Sequence, residues 1–198
     1  MFKALNPPYG LIMADCPWSF KHHSNKGFKK SAEGKYKTMT PEQIKALPVS
    51  DLADKDCMLW LWATNPTLPL AIEVVQSWGF EFKTAGTWVK MSSRWREDMW
   101  KDREQPKQAF GNGYILRSAN EPFIIATRGK PKVQAKNIRG AIFAAVRQHS
   151  RKPDEAFHAA EQLLPSVNKL ELFSRQSRAG WDTWGDQRDI FDERKDQK

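Results

Sequence analysis

The apolar run Leu11-Ile12-Met13-Ala14 is four residues long and stops at Asp15-Cys16-Pro17-Trp18. A helix needs more length, and Pro17 cannot continue one, so the run predicts a buried strand that carries an acid to its end. The pattern recurs. Asp56–Ala63 (DCMLWLWA), Phe80–Lys90, Pro122–Thr127 and Leu170–Phe173 also read as strands, with Gly86 marking a bulge or turn inside Phe80–Lys90.

Helical signals fill the gaps between these runs. Thr40-Pro41-Glu42-Gln43 combines an N-cap, a proline at the first helical position and a capping-box glutamine, which predicts a short helix through Leu47. Asn65–Trp78 fits a helix with Leu70, Val74, Val75 and Trp78 inward, closed by Gly79. Lys152-Pro153-Asp154-Glu155 opens another, with Phe157, Ala160 and Leu164 on one face. Ile138–Val146 suits either state. Strands alternating with helices predict an α/β sandwich with a largely parallel sheet, whose ligands bind beyond the carboxyl ends of the strands. Asp15, Thr64-Asn65, Lys90 and Ser174-Arg175 fall at such ends.

A chain of 198 residues can bury one sizeable core, so one domain is expected over 1–187, followed by a charged tail, 188–198. Residues 19–37 and 91–112 read as long functional loops. Two cysteines, Cys16 and Cys57, without CxxC or zinc spacing point to a reducing, cytoplasmic setting and to no metal. No apolar run approaches the ~18 residues of a membrane span, and Pro7-Pro8 breaks the N-terminus before any leader-like run develops. The net charge of +9 is clustered. Residues 19–37 hold six lysines against Glu33; residues 128–152 hold Arg128, Lys130, Lys132, Lys136, Arg139, Arg147, Arg151 and Lys152 with no acid. Both segments are therefore expected to hold phosphates of a nucleic acid. Of nine tryptophans, Trp60, Trp62 and Trp78 read as core, while Trp95 and Trp100 stand in the charged loop as candidates for nucleic-acid contact.

One acid beside a rigid proline and an aromatic ring suits a nucleobase amine. Asp15 can accept from an exocyclic amine, the carbonyls of Cys16 and Pro17 can accept again, and Trp18 can stack on the base. Engaging the amine's hydrogens frees its lone pair for methyl transfer. A Pro-Cys order would suggest a cysteine nucleophile of the cytosine-C5 type; the order here is Cys-Pro, and Cys16 reads as passive.

These residues resemble the MT-A70 family of S-adenosylmethionine-dependent adenine-N6 methyltransferases. "DCPW" is similar to its Asp-Pro-Pro-Trp motif, "KYKTMT" to its Tyr-Gly-Thr-Met-Ser segment, and "LWLWAT" and "TWVK" to its next strands. "HSRKPDE" resembles its Ser-x-Lys-Pro turn, and "KLELFSR" with "RAGWDTWGDQ" its closing cofactor region, so the resemblance runs from about residue 9 to 187 in order. It implies a Rossmann-like class I methyltransferase fold, circularly permuted into the β arrangement, with the catalytic strand ahead of the cofactor strand. It assigns Asp15, Cys16, Pro17 and Trp18 to catalysis and Tyr36 and Lys90 to substrate. To the cofactor S-adenosyl-L-methionine it assigns Asp15, Lys152, Pro153, Glu171, Leu172, Phe173, Arg175, Ser177, Arg178, Asp186 and Gln187.

Three departures stand out. Cys16 replaces the motif's first proline, Ser174 and Asp186 replace a small residue and an asparagine, and the chain starts too near the catalytic strand to carry the upstream cofactor contact, for which residues 2–8 are expected to substitute. The expected substrate is duplex DNA with its target adenine flipped out, with 91–112 reading sequence. The same chemistry on RNA, and an inactive nucleic-acid-binding subunit, are the alternatives; a homodimer stays open.

Overall fold

The computed structural model describes residues 2, 4–19, 37–96, 107–111 and 115–192. One sheet contains β1 (Tyr9–Ala14), β2 (Ala53–Trp62), β3 (Glu81–Met91), β4 (Asn120–Arg128), β5 (Ala141–Ala145), β6 (Lys169–Leu172) and β7 (Asp182–Trp184). Their spatial order is β5-β3-β4-β2-β1-β6-β7. The helices are α1 (Pro41–Lys45), α2 (Leu68–Ser77) and α3 (Asp154–Leu163). All strand pairs are parallel except those that β4 makes with β2 and β3, so the expected largely parallel sheet stands, with one strand reversed. The architecture is Rossmann-like α/β.

Period-two alternation sorts the strand side chains into two cores. Leu11 and Met13 of β1, with Met58, Trp60 and Trp62 of β2, face Phe157 and Ala160 of α3. Ile12 and Ala14, with Cys57, Leu59 and Leu61, face Ile44 of α1 and Val74 and Val75 of α2. Helix α1 closes on the expected capping box: the Gln43 amide donates to Thr40 Oγ1 at 3.2 Å, and the Thr40 amide to Gln43 Oε1 at 2.9 Å. Helix α2 is preceded by a 3₁₀ turn over Asn65–Thr67 and buries Ala71, Val74 and Val75; Leu70, expected inward, is only half-buried. Trp78 is buried and Gly79, at φ +79°, ends the helix as predicted.

Two strand expectations are corrected. Gly86 marks no bulge, because it pairs in register with Phe123 and the shift lies between Phe82 and Thr84. Its missing side chain matters for closeness instead: a Cβ there would sit 2.3 Å from Phe123 Cζ and 2.5 Å from the Gly140 carbonyl. The ambiguous stretch Ile138–Val146 resolves into β5, parallel to β3, with Ile142 and Ala144 buried.

The reversal of β4 also splits the basic segment 128–152. Arg128 and Lys130 leave at the amino end of β2, where Arg128 Nη1 donates to the Ser50 carbonyl at 2.7 Å and the Lys130 amide to Asp56 Oδ1 at 2.7 Å. Strand β5 then returns the chain to the carboxyl end of the sheet, delivering Arg147, Arg151 and Lys152 there. The single phosphate-holding patch expected from residues 128–152 is thus two clusters at opposite ends of a strand. From β1 the chain crosses to β2 on one side, and from β6 to β7 on the other, which places the topological switch point at the carboxyl ends of β1 and β6.

Candidate active site

Asp15 follows the last residue of β1 at that switch point, its amide donating to the Leu172 carbonyl of β6 at 3.3 Å. Lys152 Nζ donates to Asp15 Oδ2 at 2.6 Å and lies 3.0 Å from Glu121 Oε1. Lys90 Nζ lies 2.8 Å from Glu121 Oε2. Four charges therefore alternate in a chain, Lys90, Glu121, Lys152, Asp15, drawn from four segments of the sheet's carboxyl end.

The chain is largely withdrawn from water, with the Lys152 side chain 6% exposed. Burial lifts the Asp15 carboxyl above its usual range, Lys152 opposing the rise and Glu121 adding to it. Burial also works against ionised Glu121, but the ammonium groups of Lys152 and Lys90 outweigh it and hold that acid below its usual value. Lys152, disfavoured by burial as a cation, is held protonated by the two carboxylates. Its ammonium also lies 5.6 Å from the centre of the Trp62 ring.

The rest of the tetrapeptide is knitted into the fold. The Cys16 carbonyl accepts the Trp18 amide at 2.8 Å and the Pro17 carbonyl accepts the Met39 amide at 2.9 Å, each keeping a second lone pair. The Cys16 side chain is buried, and burial together with Asp15 pushes its thiol well above the usual value. Trp18 departs from expectation. Its ring is 4% exposed within the core, with Nε1 donating to the Trp62 carbonyl at 3.3 Å, so it offers no open stacking face among the described residues. Tyr36 and Trp100, most of loop 19–37 and part of loop 91–112 lie outside the described residues.

Beside Asp15 opens a cavity of about 570 Å³, walled by Pro17, Met39, Gln43, Leu47, Ser150, Phe173, Ser174, Arg175, Trp184, Asp186 and Gln187 among others. Of the residues expected at the cofactor, Asp15, Phe173, Arg175, Asp186 and Gln187 reach this wall. Leu172 does not, being fully buried. Glu171 and Arg178 instead line a small adjoining crevice that shares Asp15, Ser150, Phe173 and Arg175 with the cavity. Arg178 is occupied there, with Nη2 2.9 Å from Asp154 Oδ1 and its guanidinium 3.6 Å from the centre of the Phe157 ring. Burial lifts the Glu171 carboxyl to about 7, against a 2.9 Å hydrogen bond from Ser174 Oγ. Ser177 gives its amide to Asp192 Oδ1 at 2.7 Å, and Pro153 is the N-cap residue of α3.

Several features escaped the sequence reading. Glu121 is one, since its importance comes from two lysines distant in the chain. Ser150 and Phe173, both at φ 61°, are the non-glycine residues with positive φ among those described, and both line the cavity. Such backbone costs of order 1–3 kcal/mol per residue and concentrates where a ligand is held. At the start of the expected tail, Phe191 sets its ring against two guanidiniums, 4.7 Å from Arg175 and 5.4 Å from Arg151, and its amide donates to the Arg175 carbonyl at 3.0 Å. At the other end of the chain, Phe2 packs edge-on against Trp184 at 4.9 Å.

The MT-A70 family profile matches residues 9–187. The chain belongs to the MT-A70 family. This family uses S-adenosyl-L-methionine as methyl donor. The Type II methyltransferase M.MunI of Mycoplasma sp is 30% identical over 89% of this chain and 76% of its own length. The N(6)-adenosine-methyltransferase MT-A70-like protein of Arabidopsis thaliana is 30% identical over 90% of this chain, and the human catalytic subunit METTL3 29% identical over 91%. The chain spans only 24% and 28% of those two eukaryotic proteins. Its MT-A70 match thus begins at the first residue of β1 and ends on Gln187 of the cavity wall. No group of three or more metal-ligating side chains occurs among the described residues, and none of their helices is long and apolar enough to cross a membrane.

Proposed function

We propose that this protein transfers a methyl group from S-adenosyl-L-methionine to N6 of adenine in DNA, acting in the cytoplasm through a single domain. The observation that carries the proposal is Asp15, fixed by Lys152 on one carboxylate oxygen and standing on the wall of the cavity at the switch point. The cavity suits the cofactor: its volume falls within the range of small-molecule sites, and its wall combines apolar side chains such as Leu47, Met39, Phe173 and Trp184 with polar ones such as Arg175, Asp186 and Gln187. Phe173, Leu47, Met39 and Trp184 would take its purine, Asp186 and Gln187 its ribose hydroxyls, and Arg175 its carboxylate. Bound there, the cofactor supplies an electrophilic methyl group.

The chain's own residues do the remainder. Asp15 would accept a hydrogen bond from the target amine, with the spare lone pairs of the Cys16 and Pro17 carbonyls turned to the same group. A carboxylate whose proton affinity is raised by burial is suited to receive the proton that the amine loses as the new C–N bond forms. Glu121 and Lys90 would keep Lys152 in place, and Lys152 keeps the Asp15 rotamer, so the amine meets a carboxylate that does not reorient. Trp18, tied to Trp62, would support the turn from beneath. Tyr36 and Lys90 remain proposed contacts to the base, and Glu171 a support of the cofactor strand.

DNA is preferred because the M.MunI match extends over most of both chains. The test is to incubate the purified chain with labelled S-adenosyl-L-methionine and, separately, duplex DNA, single-stranded DNA and RNA, and to identify the modified nucleoside. N6-methyladenine in DNA is expected; methyl on cytosine, or labelled RNA alone, overturns the proposal. Asp15→Ala should lower transfer at least about a hundredfold while cofactor binding largely persists, and Cys16→Ser should stay active.

A further inference from the structure

We propose that Phe110, Ile115 and Leu116 form an apolar wedge that enters duplex nucleic acid at the target adenine; this rests on the nucleic-acid reading of the site. The three side chains are 71%, 85% and 81% exposed. Ile115 and Leu116 are consecutive and Phe110 precedes the Gly111–Ser118 bridge, so three large apolar groups left in water fall on one short stretch of chain and mark a surface that meets something.

Their mounting says what. Residues 107–111 and 115–119 belong to a two-sided arm between β3 and β4, joined by the bridge of Gly111 to Ser118. The arm grips Lys90 from both sides, the Ala109 amide donating to the Lys90 carbonyl at 2.8 Å and the Lys90 amide to the Ala119 carbonyl at 2.9 Å. Lys90 is also the first member of the charge chain that ends on Asp15. Wedge and charge chain are therefore anchored to the same residue at the same end of the sheet.

Lys107 and Arg117 lie on the same two sides of the bridge, both exposed, and residues 107–119 contain no acid. Positive charge around an apolar tip fits a polyanion with stacked, uncharged bases inside it. A stable subunit contact needs about 800 Å² per partner, more than these three side chains present. An adenine inside a duplex must leave the stack to be methylated, at a cost of a few kcal/mol, and an apolar side chain filling the vacated step offsets that cost.

The test compares the full wild-type chain with Phe110→Ser and with the double variant Ile115→Ser/Leu116→Ser. One duplex carries the target adenine paired with thymine; the other carries it opposite an abasic site, where no base pair has to be broken and extrusion costs less. The variants should lose at least about tenfold in kcat/KM on the paired duplex and less than about twofold on the abasic one. Equal losses on both duplexes, or no loss on either, overturn the wedge while leaving the methyltransferase reading intact. A wild-type dimer that the substitutions dissociate assigns the tip to a subunit contact and overturns it too. A wild-type chain inert on both duplexes overturns the functional reading and the wedge together.

Discussion

The two ends of the sheet treat charge in opposite ways. At the carboxyl end, Lys90, Glu121, Lys152 and Asp15 are packed together and neutralise one another, Lys152 being almost wholly enclosed. At the amino end, Lys130 and Lys132 stand exposed beyond the close of β4. Yet Lys130 and Lys152 come from one acid-free stretch of sequence. A five-residue strand, β5, spans roughly 15 Å and is enough to separate them. Charge density along a chain is therefore not charge density on a surface, and chemistry belongs to the end where charges have been withdrawn from water.

The largest effect that sharpens this contrast should come from Lys152→Met. It leaves the carboxylates of Asp15 and Glu121 facing each other with their shared cation gone, and should cost about 3 kcal/mol or more in denaturant unfolding at pH 7, with transfer activity lost. The cost should shrink at pH 5, where one of the two acids can take up a proton; an unfolding midpoint that does not move at either pH would mean that the shared cation contributes nothing.

Glu171→Gln comes next. Its folded carboxyl titrates near 7 against an ordinary value of 4.5, so it favours the folded state fully below 4.5 and that contribution disappears as pH rises through 7. The difference amounts to about 3 kcal/mol. Wild type should lose more thermal stability between pH 5 and pH 8 than Glu171→Gln, and parallel curves would show that the acid is ionised throughout. The smallest effect belongs to the amino end. Lys130→Ala with Lys132→Ala should change stability by less than about 0.5 kcal/mol and turnover not at all, lowering only the salt sensitivity of nucleic-acid binding. If this pair matched Lys152→Met in turnover, the distinction between the ends would fail.

What could be read in advance follows the range of the forces involved. The capping box of α1 is written in Thr40, Pro41 and Gln43, side chains that act on their own backbone, and it was legible. The strand at Leu11–Ala14 was legible because burial on both faces leaves no polar position. Strand β5 was not, since Ile142 and Ala144 acquire their meaning only beside Trp88 and Lys90 of β3. Strand β7, three residues long, carries too little pattern to register. In the site, Asp15 could be read from its own neighbours and from family likeness. Glu121 could not, because two lysines, each 31 positions away in opposite directions, give it its role. Trp18 shows the converse: a ring that sequence offers as a working surface is taken up by the carbonyl of Trp62.

The contacts of Phe2 with Trp184 and of Phe191 with Arg175 have a practical meaning for anyone handling this protein, since both Trp184 and Arg175 face the cavity. Phe2 and Phe191 each brace a residue of the cavity wall, so a version trimmed to the family boundary at residue 187 would leave the Arg151 and Arg175 guanidiniums without the ring they rest on.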